Sequence, residues 1–231
     1  MTAPDDYPRT PRTVPTRLRE RARFERAAVH AVLDEALICH VGIVVDGEPV
    51  VLPTIHTRVG DALYLHTSSG SHLARLAAVP GAPTTDGGLP VCVTVTLVDG
   101  LVLARSHMHH SMNYRSVVVR GRASVVVDPA ERTAAMTAVV EHVVPGRAAG
   151  SRAPDAKELA ATAVLRVPIV EATLKERSGG PADDADDLGL AHWAGVVPLR
   201  TVHGPARPAP DLPPGVEVPE HVTRLEDDVR R

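Results

Sequence analysis

Residues 99–123 read DGLVLARSHMHHSMNYRSVVVRGRA, a stretch in which a polar block runs directly into a strand with an inside and an outside. Side chains of a strand alternate between two faces, so residues two apart share a face. One face is apolar or small: Val117, Val119, Gly121, Ala123, Val125 and Val127. The other face is mostly charged: Arg120, Arg122 and Ser124. The pattern predicts a half-buried strand whose apolar face closes a core.

Arg115 has the parity of the apolar face and lies one step beyond its end, with Ser116 directly after it. A cation at the rim of a core is placed to meet a ligand that carries a negative or electron-rich group. The competing interpretation is an arginine whose charged end reaches water from the end of the strand. The residues alone leave both interpretations open.

The composition excludes several classes of protein. The 231 residues carry 25 Lys and Arg against 28 Asp and Glu, so no global positive charge favours nucleic acid or an anionic membrane as a partner. No apolar run approaches the length of a membrane span, and the first residues lack the order of a signal peptide. Cys39 and Cys92 lie in separate apolar runs, which favours reduced core residues and a cytoplasmic protein.

Turn signals divide the chain into short valine-rich strands. We expect an irregular arm over residues 1–16, one domain over residues 17–203 and a Pro-rich tail over residues 204–231. Around six or seven hairpin-linked strands with few helices predict a mainly β fold, a closed or half-closed antiparallel barrel. One of these strands covers Val164–Lys175, where Pro168 predicts an edge or a bulge.

Helix signals are fewer and clearer. A helical pattern covers Arg17–Leu37. Asp128, followed by Pro129 and by Glu131 three residues on, predicts the start of a second helix that ends near Val144. A shorter helix is expected after Asp155, with a glutamate at the same offset.

A second candidate site is the hydroxyl-rich segment after Leu63–Thr67. Ser68 and Ser71 precede a short predicted helix that begins at His72. Backbone N–H groups and hydroxyls at such a start can hold a phosphate or a carboxylate. The alternative is that Ser71 only caps the helix, since the segment has neither the spacing nor the lysine of a P-loop.

The histidines raise the question of a metal. His107, His109 and His110 lie close together, but no carboxylate or cysteine stands beside them at a familiar ligand spacing. We therefore expect no metal site and a polar histidine loop. A serine hydrolase is not supported, because no Gly-x-Ser-x-Gly segment occurs. Tyr114 and Trp193 lie beside polar strand edges, where a planar ligand could stack.

Five segments, taken in order, resemble the pyridoxamine phosphate oxidase-like flavoproteins, in the branch grouped with nitroimidazole-resistance proteins. They are Pro53–His56, Leu63–Ser71, Asp99–Arg105, Ser111–Val117 and Trp193–Pro198. The resemblance covers roughly residues 17–200. It implies a six-stranded antiparallel split β-barrel with flanking helices that binds FMN, and a homodimer with flavin at the subunit interface.

The resemblance also implies roles for residues of this sequence. Four residues of one strand would lie beside the flavin: Pro53, Thr54, Ile55 and His56. Four would face the ribityl phosphate: Thr67, Ser68, Ser71 and His72. Arg115 and Ser116 fall on an arginine–glutamine pair that the oxidases use near the flavin, and Trp193 matches a tryptophan that completes the pocket from the second subunit.

The sequence departs from the family pattern at three places. Relatives carry Arg or Lys at the position of His72, and the oxidases carry Lys at that of His56. Both differences remove a fixed positive charge. The C-terminal Arg-x-His-x-Arg element by which the oxidases recognise pyridoxal phosphate is absent after Pro198, which argues against vitamin B6 oxidation.

The resulting hypothesis is a flavin-dependent oxidoreductase that reduces a small electron-poor organic substrate, such as a nitroaromatic or a quinone. Arg115 is the candidate to stabilise negative charge on reduced flavin or phosphate, and no residue is assigned as acid or base. Alternatives are a barrel that binds deazaflavin or haem, a non-catalytic flavin-binding protein, and a cofactor-free interaction module. The histidines at positions 107–110 keep haem open.

Overall fold

The computed structural model describes residues 5–78, 87–227 and 229–230. The first four residues of the expected arm and two residues of the expected tail, 228 and 231, lie outside the described residues. The described residues form five α-helices: α1 (Arg26–Glu35), α2 (His72–Ala78), α3 (Pro129–Val143), α4 (Ala156–Ala161) and α5 (Glu220–Asp227). No helix within the described ranges has the length and apolar character that crossing a bilayer requires.

The strands follow one another with short connections. They are β1 (Ala22–Arg23), β2 (Ile38–Val45), β3 (Glu48–Val59), β4 (Ala62–Ser68), β5 (Leu89–Leu103), β6 (Ser111–Val125), β7 (Thr162–Pro168), β8 (Glu171–Arg177), β9 (Gly195–Pro198), β10 (Thr201–Val202) and β11 (Val229–Arg230). Nine of them form one sheet in the order β1-β8-β6-β7-β4-β3-β2-β5-β9, and β5 also pairs with β6. That extra pairing closes a ring of six antiparallel strands, which confirms the predicted split barrel.

The long pair β5–β6 forms the wall that the opening stretch predicts. Val117, Val119 and Ala123 are fully buried in the main core, so the predicted inside face is confirmed. Gly121 belongs to this face because a Cβ there would meet the Pro168 carbonyl oxygen at 2.9 Å. The prediction fails at its end, because β6 stops at Val125 and Val127 is 84% exposed.

The helix starts are confirmed where capping signals were clear. The Asp128 carboxylate accepts a hydrogen bond from the Glu131 backbone N–H, and α3 ends at Val143. Asp155 forms a full capping box at the start of α4, and the Ser71 hydroxyl accepts from the Ala74 N–H at the start of α2. These helices follow from local side-chain chemistry.

Two segments differ from the expectation. The helix predicted from Arg17 begins only at Arg26, because Ala22–Arg23 is extended and adds β1 to the edge strand β8. The strand predicted over residues 164–175 is two strands, since β7 ends at Pro168 and β8 begins at Glu171. In both cases pairing with another strand decided the outcome over local periodicity.

The N-terminal arm is packed on the domain. Tyr7 is buried in the main core, and its hydroxyl lies 2.7 Å from the His30 Nε2 atom on α1. Farther along, the Thr173 hydroxyl donates to the Thr13 carbonyl, so the arm covers the outer side of β8. On the outer side of β2 and β3, Val44 and Val51 stay exposed.

Candidate functional site at the split between two strands

β3 changes its pairing partner midway, and this change creates a cleft. Its first part pairs with β2 up to Ile55, opposite Ile38. Its last part pairs with β4 from His56, opposite Leu65. The other edge of β4 pairs with β7 from Ala62 to Ser68, so beyond Leu65 the β7 pairing continues and the β3 pairing does not. The strands β3 and β4 therefore separate between Pro53–Ile55 and the end of β4, where their backbones no longer pair with each other. This gap is called the split below.

The hydroxyl loop that follows β4 borders this split. The Ser68 hydroxyl accepts from the Gly70 N–H at 3.3 Å, and the Ser69 N–H donates to the Ala161 carbonyl at 2.9 Å. With Ser71 holding the start of α2, the loop is a preformed turn. Each serine hydroxyl still has its own hydrogen to donate, as a phosphate requires. No Lys or Arg occurs between Thr67 and His72, so the turn offers neutral donors.

The four predicted flavin neighbours on β3 alternate between two faces. Pro53 and Ile55 point outward with their paired residues on β2, whereas Thr54 lies opposite the buried Cys39. His56 is fully buried. Only Pro53 and Ile55 therefore present side chains to the outer face of the split.

His56 has a defined interior role. Its Nε2 atom lies 2.9 Å from the Leu33 carbonyl near the end of α1, and its ring lies 5.2 Å from that of His142. The Nε2 atom of His142 in turn lies 2.9 Å from the Ala36 carbonyl. Burial lowers the pKa of His56 to about 4, so it is neutral at physiological pH. The two rings hold the last carbonyls of α1, a role that the sequence did not reveal.

Arg115 is also turned inward and fully engaged with carboxylates. Its guanidinium donates to both oxygens of Glu35, at 2.5 and 2.8 Å, and to both oxygens of Asp99, at 2.8 and 3.0 Å. These hydrogen bonds raise its pKa further above the usual arginine value. A bulge between Val98 and Gly100 brings Asp99 into reach. The three groups carry a net charge of −1, which favours a structural link between α1 and β5 over anion binding.

Ser116 and Trp193 lie away from the split. Ser116 faces outward and its hydroxyl lies 3.0 Å from that of Thr96 on β5. In the ring of six strands, β6 is three strands from β3 in either direction, so Ser116 and Ile55 lie on opposite walls of the barrel. The Trp193 indole is 68% exposed and lies over Gly195, where a Cβ would meet the ring at 2.9 Å. One subunit therefore does not bring Trp193 to the predicted phosphate loop.

The outer face beside the split is apolar and exposed. Ile38, Val44, Val51 and Val98 are 47%, 64%, 61% and 42% exposed, respectively. They lie on three neighbouring strands of the sheet, β3, β2 and β5. Exposed apolar side chains grouped on neighbouring strands, here with the exposed His40 among them, are typical of a site of contact with another molecule.

The sequence did not predict several acidic partners of the basic residues, because these partners come from distant parts of the chain. Glu35 and Asp99 are 80 and 16 residues from Arg115. Asp183 binds the Arg105 guanidinium, and Asp184 lies beside His109. The acidic run at positions 183–187 was the available signal, but nothing in its spacing indicates which basic residues it meets.

Comparison with known proteins gives a consistent result. The sequence profile of the family described as pyridoxamine 5'-phosphate oxidase matches residues 25–176. The flavocytochrome Anf3 from Azotobacter vinelandii is 36% identical over 94% of this chain and 97% of its own, with a TM-score of 0.84. The FAD and haem binding protein from Mycobacterium smegmatis is 37% identical over 91% of this chain and 99% of its own, with a TM-score of 0.82.

A more distant structure shares the fold alone. It is provisionally named a 5-nitroimidazole antibiotic resistance protein, from Bacteroides thetaiotaomicron, and is 22% identical over 67% of this chain and 85% of its own, with a TM-score of 0.54. No curated protein matches the sequence.

Proposed function

Because the chain belongs to the pyridoxamine 5'-phosphate oxidase family, we propose that it is a flavin-binding redox protein with its flavin at the split between β3 and β4. The observation that carries the proposal is the likeness to two proteins whose names state a flavocytochrome and a FAD and haem binding protein. Both are more than one third identical to this chain over at least nine tenths of it.

The residues at the split fit such a cofactor. The serine hydroxyls at positions 68 and 71 are donors for phosphate oxygens, and the backbone of Pro53–Ile55 is the edge against which a planar ring would lie. A bound flavin supplies hydride and single-electron transfer. The protein contributes orientation and a dry wall, since the inner side of this edge is filled by buried residues such as Cys39.

The name of one relative favours FAD over FMN as the flavin of this protein. The resemblance implied FMN, but the protein from Mycobacterium smegmatis is named for FAD. The larger flavin needs more surface, and the outer face beyond Val51 and Val44 offers it. A deazaflavin is the third option, and the absorption spectrum separates it from both.

Haem is a second candidate cofactor, favoured by the names of the same two relatives. Haem iron needs an accessible imidazole or a similar ligand. His40 and His72 are exposed, the first opposite Pro53 on β2 and the second at the start of α2. These two histidines border the split, whereas His56 is buried and engaged.

We further propose a homodimer in which the outer face of β2 and β3 is the contact. The exposed apolar side chains of this face need cover, and Trp193 reaches the split only if a second subunit supplies it. Dimerisation would thus unite the residues that one subunit keeps apart.

The proposed reaction is the reduction of a small molecule by the flavin. Reduced flavin at an apolar, open edge can pass a hydride to a small electron-poor molecule such as a nitroaromatic or a quinone. A non-catalytic flavin-binding protein is the alternative. The two differ in whether bound reduced flavin is reoxidised when such an acceptor is added.

The test is the absorption spectrum of freshly purified protein, followed by release of the cofactor and chromatography against FMN and FAD standards. We expect a flavin spectrum together with the Soret band of haem. His72→Ala and His40→Ala would then separate the haem ligand from a bystander. A colourless protein that binds neither FMN, FAD nor haem would overturn the proposal and favour a cofactor-free interaction module.

A further inference from the structure

One histidine of the loop before β6 meets two carboxylates from the segment that follows β8. The His109 Nε2 atom lies 3.1 Å from an oxygen of Asp184. One ligand atom each of His109, Asp184 and Asp187 all lie within 4.8 Å of one another. The carboxylates that the sequence did not show beside the histidines therefore come from a distant part of the chain, Asp184 being 75 residues from His109.

The two carboxylates converge because of the local helix. Ala185–Asp187 forms a short 3₁₀ turn, and the Asp187 N–H donates to the Asp184 carbonyl at 3.0 Å. A 3₁₀ helix has three residues per turn, so side chains at positions i and i+3 lie on the same side. Asp186 lies within the same turn but is not part of the cluster.

Two contacts anchor this acidic segment before any ligand arrives. Both oxygens of the Asp183 carboxylate accept from Arg105, at 2.7 Å each, and that carboxylate is 1% exposed. The Asn113 amide donates to the Gly179 carbonyl at 3.1 Å. Because both contacts hold the chain directly before Asp184, ordering the segment would not consume much binding free energy.

We propose that His109, Asp184 and Asp187 form a binding site for a divalent transition-metal ion of the zinc type. Imidazole nitrogen with carboxylate oxygens suits such ions, whereas calcium and magnesium prefer oxygen alone. Two carboxylates and a neutral imidazole balance the charge of a dication. Three protein ligands leave a fourth position to water, as in open zinc sites.

The site is accessible and independent of the proposed flavin site. The His109 side chain is 29% exposed and that of Asp184 is 77% exposed, so an ion can enter from solvent. The spacing of up to 4.8 Å is somewhat wider than that of ligands about 2.1 Å from one ion, and small side-chain rotations close the difference. A bound ion would link the loop before β6 to the segment after β8.

The test uses full-length, untagged protein washed with a chelator, with Zn2+ as the probe in calorimetry and thermal unfolding. We expect one saturable Zn2+ site and a higher melting temperature with zinc. His109→Ala and Asp187→Asn should each weaken binding by more than about tenfold and abolish the zinc-dependent shift. Asp186→Asn is the matched control and should bind Zn2+ as the wild type does.

Comparison of each variant with and without zinc separates the metal from the ion pair. Loss of the His109–Asp184 contact changes the melting temperature of the metal-free protein, whereas loss of the site removes only the zinc-dependent increment. Equal Zn2+ affinity in His109→Ala and wild type would overturn the proposal. So would a wild type that shows no saturable binding.

Discussion

The two parts of β3 differ in how far their outward side chains are covered. At His56 and Thr57 the strand is closed in: His56 is fully buried, and Thr57 is 3% exposed and donates its hydroxyl hydrogen to the Ala138 carbonyl of α3. Before that point the strand presents Val51, 61% exposed, and the outward-facing Pro53. The change of pairing partner at Ile55 marks the border between the closed part and the open part.

The difference indicates where each kind of residue acts. His56 and Thr57 on the closed part lie within hydrogen-bond distance of the Leu33 and Ala138 carbonyls, and removing either side chain takes that partner away, which costs folding free energy. The outward-facing side chains of the open part, such as Val51 and Pro53, are exposed to solvent, so folding depends on them less. We therefore expect substitutions on the closed part to lower stability, and those on the open part to change binding instead.

At neutral pH the largest effect on folding is expected for Arg115→Met, because Glu35 and Asp99 would then face each other without a cation. Breaking such a pair costs about 3–5 kcal/mol when fully buried, and about 2–3 kcal/mol here, since a quarter of the Arg115 side chain is exposed. Urea unfolding measures the change.

The matched control is Arg152→Met, which breaks an ion pair with Glu158 whose side chains are 66% and 48% exposed. Exposed pairs contribute little, so its unfolding curve should overlay that of the wild type. If Arg115→Met also overlays the wild type, the carboxylates do not hold α1 to β5 through this residue.

A pH-dependent effect is expected at His56. Burial holds its folded pKa at about 4, below the unfolded value of 6.5, so the unfolded chain takes up the proton first as the pH falls. Stability from this residue is fully present above about pH 6.5 and is lost progressively down to about pH 4, by roughly 3 kcal/mol in total. His56→Gln can still donate to the Leu33 carbonyl but does not titrate.

The measurement is the free energy of unfolding of both proteins between about pH 7 and about pH 4.5. We expect the wild type to lose more stability than the variant over this interval. Parallel curves would show that His56 titrates alike in the folded and unfolded chains, against a buried neutral imidazole.

The sequence predicted the features that depend on near neighbours in the chain, and it did not predict those that depend on distant partners. The alternation of Val117 and Val119, and the Asp128 cap, depend on neighbours within a few residues, and the structure confirms them. The resemblance to a known family supplied the six-stranded ring. Whether Arg115 would meet ligand or protein depended on Glu35 and Asp99, which only the closed barrel brings together.

The histidines show the same limit. The sequence did not distinguish the roles of His56 and His109. His56 is buried against α1, whereas His109 lies beside two carboxylates from the segment after β8. Burial and long-range partners decide the chemistry of an imidazole. The spacing of nearby residues in the sequence predicts neither of them. The roles implied at Thr67, Ser68 and Trp193 stay predictions until a cofactor is bound.

On the open part, Val51→Lys should change assembly and leave folding nearly intact. A side chain that is already 61% exposed loses little on substitution, below about 0.5 kcal/mol. A charge at the proposed subunit contact would convert a dimer to a monomer in sedimentation analysis. Val127→Lys, at a site 84% exposed beyond the end of β6, should remain dimeric. An unchanged dimer in Val51→Lys would move the contact to another face.

The smallest effect on folding is expected for Ser68→Ala, which removes one exposed hydrogen bond to the Gly70 N–H. The change in the free energy of unfolding should stay near or below about 0.5 kcal/mol. A hydroxyl that donates to a phosphate contributes a charge-assisted bond, so the dissociation constant for flavin should rise about tenfold. Fluorescence titration with FMN and FAD measures it.

Ser69→Ala is the control for this last variant. Ser69 lies in the same turn and is exposed, and it contributes a backbone N–H to Ala161 that alanine keeps. Its flavin affinity should match that of the wild type. If both variants bind flavin equally, the phosphate does not lie at the Ser68 hydroxyl. The open part would then serve the subunit contact alone, and the cofactor would have to be sought elsewhere on the outer face.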